Sequence, residues 1–253
     1  MGKKIFILYC LCFSIWSNAQ NEAVFNKATS EYNEGNYQKA IDHYLDILES
    51  GQHSAAVYFN LGNSYYKLNE IASSIYYYEK ALLLTPNDPE IKNNLGYARN
   101  MTLDAIETLP ETGLSKLYKS ITTIFSFDQW AYLAIVFMLL FVLLYITFYY
   151  SRYSARKRWA FISSLISLFI TIVAVLFAFT QFNDFEAEQP AIVFADEIGI
   201  KSEPNPSSQE VFSLHAGTKV NVLDKLNEWK KIRISDGKTG WILSGDIKLL
   251  KDF

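Results

Sequence analysis

The chain has 253 residues, half of them hydrophobic, with 23 basic against 26 acidic side chains and a formal net charge of -3. That composition is too apolar for a disordered chain and not basic enough for a protein that holds nucleic acid through phosphate contacts. The hydrophobicity is concentrated in a few stretches. The first follows Lys3 and Lys4 and runs from Ile5 to Trp16, ending in Ser17, Asn18 and Ala19. A short apolar run after positive charges, closed by small residues, predicts a secretory signal peptide over 1–19; a retained anchor is the alternative. Both cysteines, Cys10 and Cys12, fall inside it, so the mature chain is expected to have no disulfide and no thiolate site.

Residues 20–108 show a self-match at a spacing of 34. Phe25 recurs as Phe59, Asn26 as Asn60, Ser30 as Ser64, Tyr32 as Tyr66, Ile41 as Ile75, Tyr44 as Tyr78 and Leu48 as Leu82. The second copy carries Tyr58, Leu61, Gly62, Tyr65, Tyr78, Ala81 and Pro86 at the offsets of a tetratricopeptide unit, which it resembles. Small residues at Ala28, Gly62 and Gly96, and at Ala40 and Ser74, predict close approaches between helices. The third copy keeps Asn94, Leu95 and Gly96 and then loses the pattern, which predicts a capping helix over 89–108. Two units and a cap form a short array, below the roughly three units such stacks usually need.

The first helix of each tetratricopeptide unit lines a concave groove, and Asn26, Asn60 and Asn94 share one repeat position there. Amides at such positions can bond the N–H and C=O groups of an extended peptide, so protein is the expected partner. Asn63 and Lys67 lie further along the same face and, with Asn60, resemble part of a clamp for a terminal carboxylate. The competing reading is that these are solvated surface residues. Over residues 20–110 twelve acids face six bases, which either steers basic partners or keeps the module soluble.

Residues 109–129 place Leu114, Leu117, Tyr118, Ile121, Ile124 and Phe125 at helical spacing, either as an interfacial helix or as a packing helix under the repeats. Residues 131–150 and 159–182 contain no charge. Each is long enough to cross a hydrocarbon core of about 30 Å, so transmembrane helices are predicted at 130–150 and 159–182. Trp130, Tyr149, Tyr150 and Trp159 mark their ends. The loop 151–158 carries Arg152, Arg156, Lys157 and Arg158 and no acid, which predicts a cytoplasmic loop. In a bacterial inner membrane, the repeats and the C-terminal segment are then both periplasmic.

From Pro190 the pattern changes to short alternating runs, Ala191–Phe194, Val220 with Val222, and Ile232 with Ile234, separated by Asn205-Pro206, Ala216-Gly217 and Asp236-Gly237. With Trp229 and Gly240-Trp241-Ile242, residues 190–253 resemble a bacterial SH3-like domain. Trp229 and Trp241 are either ordinary core positions of such a barrel, the favoured reading, or a stacking surface for a cell-wall ligand. The expected architecture is therefore multidomain: an all-α tetratricopeptide array, two transmembrane α-helices and a small all-β SH3-like barrel.

In this order the modules resemble the BatE-like proteins of the Bat aerotolerance operon over nearly the full chain. The resemblance implies an envelope-anchored accessory protein whose partners are envelope proteins, including membrane-bound proteins with von Willebrand A-type domains. Catalysis has little to stand on. The three histidines, His43, His53 and His215, show no metal-ligand spacing, and no P-loop, G-x-S-x-G or G-x-G-x-x-G run is present. No catalytic residue, cofactor or metal is expected. The expected role is that of a scaffold for protein–protein interaction, with peptidoglycan as the alternative ligand.

Overall fold

The structure is a computed structural model that describes residues 21–104, 106 and 113–251. The signal-peptide reading of 1–19 falls outside them. The chain divides into two units, one formed by the segments up to 109 and from 189 onward, the other by 110–188.

In the first unit, five helices form the repeat array: α1 (residues 21–33), α2 (Tyr37–Glu49), α3 (Ala55–Lys67), α4 (Ile71–Leu84) and α5 (Pro89–Arg99). Local chemistry sets their ends. Ser54 caps α3 by accepting from the Val57 N–H, while Asp88 caps α5 ahead of a proline at its first turn. Several period-34 positions are packed, among them Ile41, Tyr44, Ile75 and Tyr78, together with Ala28, Ala40, Leu61 and Ala81, whereas Asn26 and Ser30 are exposed. Gly62 is required by contact, because a Cβ there would stand 2.5 Å from the Tyr78 ring. Ser74, on the facing helix, donates its hydroxyl to the Gly62 carbonyl at 2.9 Å. Gly96 has open space around its Cβ position, so the repeat spacing overstated its role.

The C-terminal strands β1 (Pro190–Val193), β2 (Glu197–Lys201), β3 (Glu210–His215), β4 (Lys219–Leu226), β5 (Trp229–Arg233), β6 (Thr239–Leu243) and β7 (Ile247–Leu249) make one antiparallel sheet in the order β3-β2-β6-β5-β4-β1-β7. Asp236-Gly237 turns β5 into β6, with Gly237 at φ +92°. Ala191, Val193, Ile200, Leu214, Val220, Ile232, Ile242 and Ile247 fill the interior.

Repeats and sheet share a core. Ile192 and Leu250 of the barrel are buried in the same cluster as Tyr58, Ile75, Tyr76, Leu95 and Ala98 of the array. Burying apolar side chains of this size stabilises by about 1.5–3 kcal/mol each, which helps a short array that would otherwise expose its last layer. The expected helical cap over 89–108 is shorter than predicted. The helix ends at Arg99, and residues 100–104 turn away from it and pack on the sheet.

The second unit holds α6 (Gly113–Thr122), α7 (Phe127–Tyr150) and α8 (Ser154–Ala187). Ser126 and Gln129 form a reciprocal capping box at the start of α7. The last two helices are long and apolar enough to cross a membrane. They pack through small residues, Ala134 on one and Ala160, Ser164, Ser167, Thr171 and Ala174 on the other, and expose large apolar side chains such as Leu139, Leu143 and Phe169 outward.

Candidate functional site

Three consecutive tyrosines on α4 organise the array. Tyr77 stacks on Tyr65 at 5.4 Å between centroids and 4° between planes. Tyr76 meets Phe194 edge-on and donates its hydroxyl to the Leu249 carbonyl of the barrel at 3.2 Å. Tyr78 reaches the groove, where its hydroxyl donates to Asn63 Oδ1 at 2.6 Å. Asn94 Nδ2 donates to the same oxygen at 2.9 Å. Burial pushes the Tyr78 phenol well above its ordinary range, so it remains a donor at any physiological pH.

These groups form the floor of a cavity of about 210 Å³ whose other lining residues are Tyr32, Tyr66, Lys67 and Tyr97. Two donors on Asn63 Oδ1 fix the orientation of that amide, so its amino group is the part left to face the groove. Asn94 has one amino hydrogen committed and its carbonyl oxygen available as an acceptor. The site thus offers a donor and an acceptor side by side, between aromatic walls and next to one exposed cation.

Three of the five groove residues singled out in the sequence, Asn63, Lys67 and Asn94, meet in this cavity. Asn26, which is exposed, and Asn60, which is half-buried, do not line it. The amide bond runs diagonally, from Asn94 to the residue one turn beyond Asn60, so a ladder at a single repeat position does not form. Tyr32 and Tyr66 are a period-34 pair, but nothing in the spacing marks them or Tyr97 as walls of the groove.

Trp229 and Trp241 depart from the favoured core reading. Trp229 pairs across strands with Leu226 and Leu243, and Trp241 pairs with Lys231 and Lys201. Strand alternation therefore sets both rings on one face while Ile232 and Ile242 point into the core. Neither ring belongs to the buried cluster; both are half-buried, beside the exposed Leu226 and Leu243.

A second constellation joins the repeats to the barrel. The Asp104 carboxylate accepts from the His215 N–H at 2.7 Å and the Thr218 hydroxyl at 2.5 Å, and its other oxygen lies 2.7 Å from His215 Nδ1. Burial alone would raise the Asp104 carboxyl, but these bonds outweigh it and hold it below its ordinary value. The hydrogen bond to Asp104 raises the His215 imidazole. Nearby, the buried Glu79 carboxylate pairs with Arg99 and, at 2.7 Å, with Lys219 of the barrel. No group of three or more His, Cys, Asp or Glu side chains with metal-binding geometry occurs among the described residues.

The tetratricopeptide repeat family matches residues 55–88, and the bacterial SH3 domain family matches residues 196–248. The chain is also similar to the heat shock protein STI1 of Saccharomyces cerevisiae, at 36% identity over 64 residues. That match takes in 22% of this chain and 11% of the yeast protein, so the chain spans about a tenth of that relative's length. The molecule is thus built from a protein-interaction repeat module, two apolar helices and a bacterial SH3-like domain of a kind associated with cell-wall binding.

Proposed function

We propose that this chain is a non-enzymatic, membrane-anchored adaptor of the bacterial envelope, whose repeat groove holds an extended segment of a partner protein. The observation that carries this reading is the fixed amide pair Asn63 and Asn94 at the floor of the tyrosine-walled cavity. One peptide unit presents a C=O and an N–H, which match the free amino group of Asn63 and the free carbonyl of Asn94. Lys67 at the rim favours an acidic or carboxy-terminal group on the ligand. A periplasmic location is supported by the basic loop between the two apolar helices. It is supported as well by the shared core of the repeats and barrel, since segments before and after two crossings lie on one side. The order of modules suits a Bat-type aerotolerance complex with von Willebrand A-type membrane proteins as partners.

The exposed ring of Tyr97 is the place for a photocrosslinking residue, because Asn63 is engaged internally. Irradiated cells are expected to give a discrete adduct with another envelope protein that disappears in N63A and N94A. An adduct pattern unchanged by those substitutions would remove the groove from the mechanism.

A second reading has its own observation. The outward Trp229 and Trp241 offer ring faces to a wall ligand instead of filling the core. If the barrel anchors the protein to peptidoglycan, W229A/W241A will lose sedimentation with purified cell wall while retaining the crosslink from Tyr97.

A further inference from the structure

The helix α6 has three distinct faces. Tyr118 and Thr122 face the two long helices: the Tyr118 hydroxyl donates to Thr180 Oγ1 at 2.7 Å, and the Thr122 carbonyl accepts from Trp130 Nε1 at 2.9 Å and from Gln181 Nε2. Phe125, just beyond, meets Trp130 edge-on at 5.0 Å, and its carbonyl accepts from Gln181 at 3.2 Å. The last carbonyls of a helix have no partner within it, and here side chains from both long helices supply one. A second face carries Lys116, Lys119 and Ser120, all exposed. The third carries Leu117 and Ile121, 57% and 40% exposed and one helical turn apart, and the turn that follows the helix adds Ile124, 59% exposed.

The position of this joint says what covers the third face. Trp130 and Gln181 stand at the margins of the uncharged runs 131–150 and 159–182, at the end of the pair away from the basic loop. That is the depth at which hydrocarbon gives way to headgroups, where an amphipathic helix with apolar and lysine faces is stable. We infer that α6 is an interfacial helix lying in the headgroup layer opposite the basic loop, bonded to both spans, with Leu117, Ile121 and Ile124 in lipid. The inference rests on the membrane-anchored reading above. Its effect is to tie the two spans to a third element lying along the membrane surface.

The test uses the full chain, with Cys10 and Cys12 replaced by serine, in vesicles of phosphatidylcholine and phosphatidylglycerol. Nitroxide labels are placed singly in L117C, I121C, I124C and K116C, with L143C in the first span as control. Collision rates with oxygen and with a water-soluble nickel chelate are then compared. Oxygen is expected to dominate several-fold at 117, 121, 124 and 143, and the chelate at 116. Chelate-dominated rates at 117, 121 and 124 with an oxygen-dominated label at 143 would overturn the interfacial assignment alone. A chelate-dominated label at 143 would overturn the membrane reading and this inference together.

Discussion

Asp104 and His215 stand 111 residues apart in sequence and share two hydrogen bonds, one to the His215 backbone N–H and one to its ring. Their shifts run in opposite directions. The lowered Asp104 contributes stability above the ordinary value of 3.8, and this is lost as pH falls through its lower folded value. The raised His215 contributes fully below its ordinary 6.5, and this is lost as pH rises through its higher folded value. Glu197 adds a second negative charge near the ring. The joint is therefore firmest between those limits and loosens as pH rises through the raised His215 value. Thermal melts of the detergent-purified chain should fall between about pH 6 and about pH 8.5 by more than those of H215N. Parallel profiles for the two proteins would rule the pair out. D104A leaves the buried Thr218 hydroxyl without its partner and should cost about 1–3 kcal/mol.

Glu79 is buried, whereas both its cations, Arg99 and Lys219, are partly in water. Removing one cation leaves the carboxylate a partner, so K219M or R99M alone should cost about 1 kcal/mol. Removing both strands a buried charge, and R99M/K219M should cost about 3–5 kcal/mol, more than the sum of the single effects. A double-mutant cycle by denaturant titration reads this directly, and strict additivity would contradict the shared-partner geometry.

Gly62 faces the Tyr78 ring at a separation that excludes a methyl group. G62A should destabilise the array by about 1–3 kcal/mol through overpacking. The equivalent change at Gly96, where space is open, should come within about 0.5 kcal/mol of neutral or better, because alanine favours helix. Equal losses at the two positions would refute the packing argument.

Y78F removes one of the two donors that fix Asn63. A stability loss of about 0.5–1.5 kcal/mol is expected, together with a lower yield of the Tyr97 crosslink as the amide becomes free to turn. An unchanged yield would separate the amide orientation from partner capture.

The array was legible because its constraints are local and recur. Leu61, Gly62 and Tyr78 carry the same spacing in sequence and in the packed core. The barrel's hairpins were legible at Asp236-Gly237 for the same reason. The strand Glu197–Lys201 was not, because its alternation is short and interrupted by Gly199 between charged ends. The orientation of Trp229 and Trp241 needed the cross-strand register, which the irregularity between Val222 and Asp224 shifts on the neighbouring strand. The bonds from Asp104 and Glu79 to the barrel have no local pattern, since their partners lie more than a hundred residues away.

The shared core also imposes an order on synthesis. Tyr76 and Ile75 leave the ribosome long before Ile192 and Leu250, with the whole apolar helical pair between them. Until the last strands arrive, the array has an open, sticky end. Such long-delayed contacts fold slowly and aggregate readily. A chain halted before its last strands would therefore carry a repeat module primed for proteolysis or chaperone capture, tying maturation of the groove to completion of the barrel.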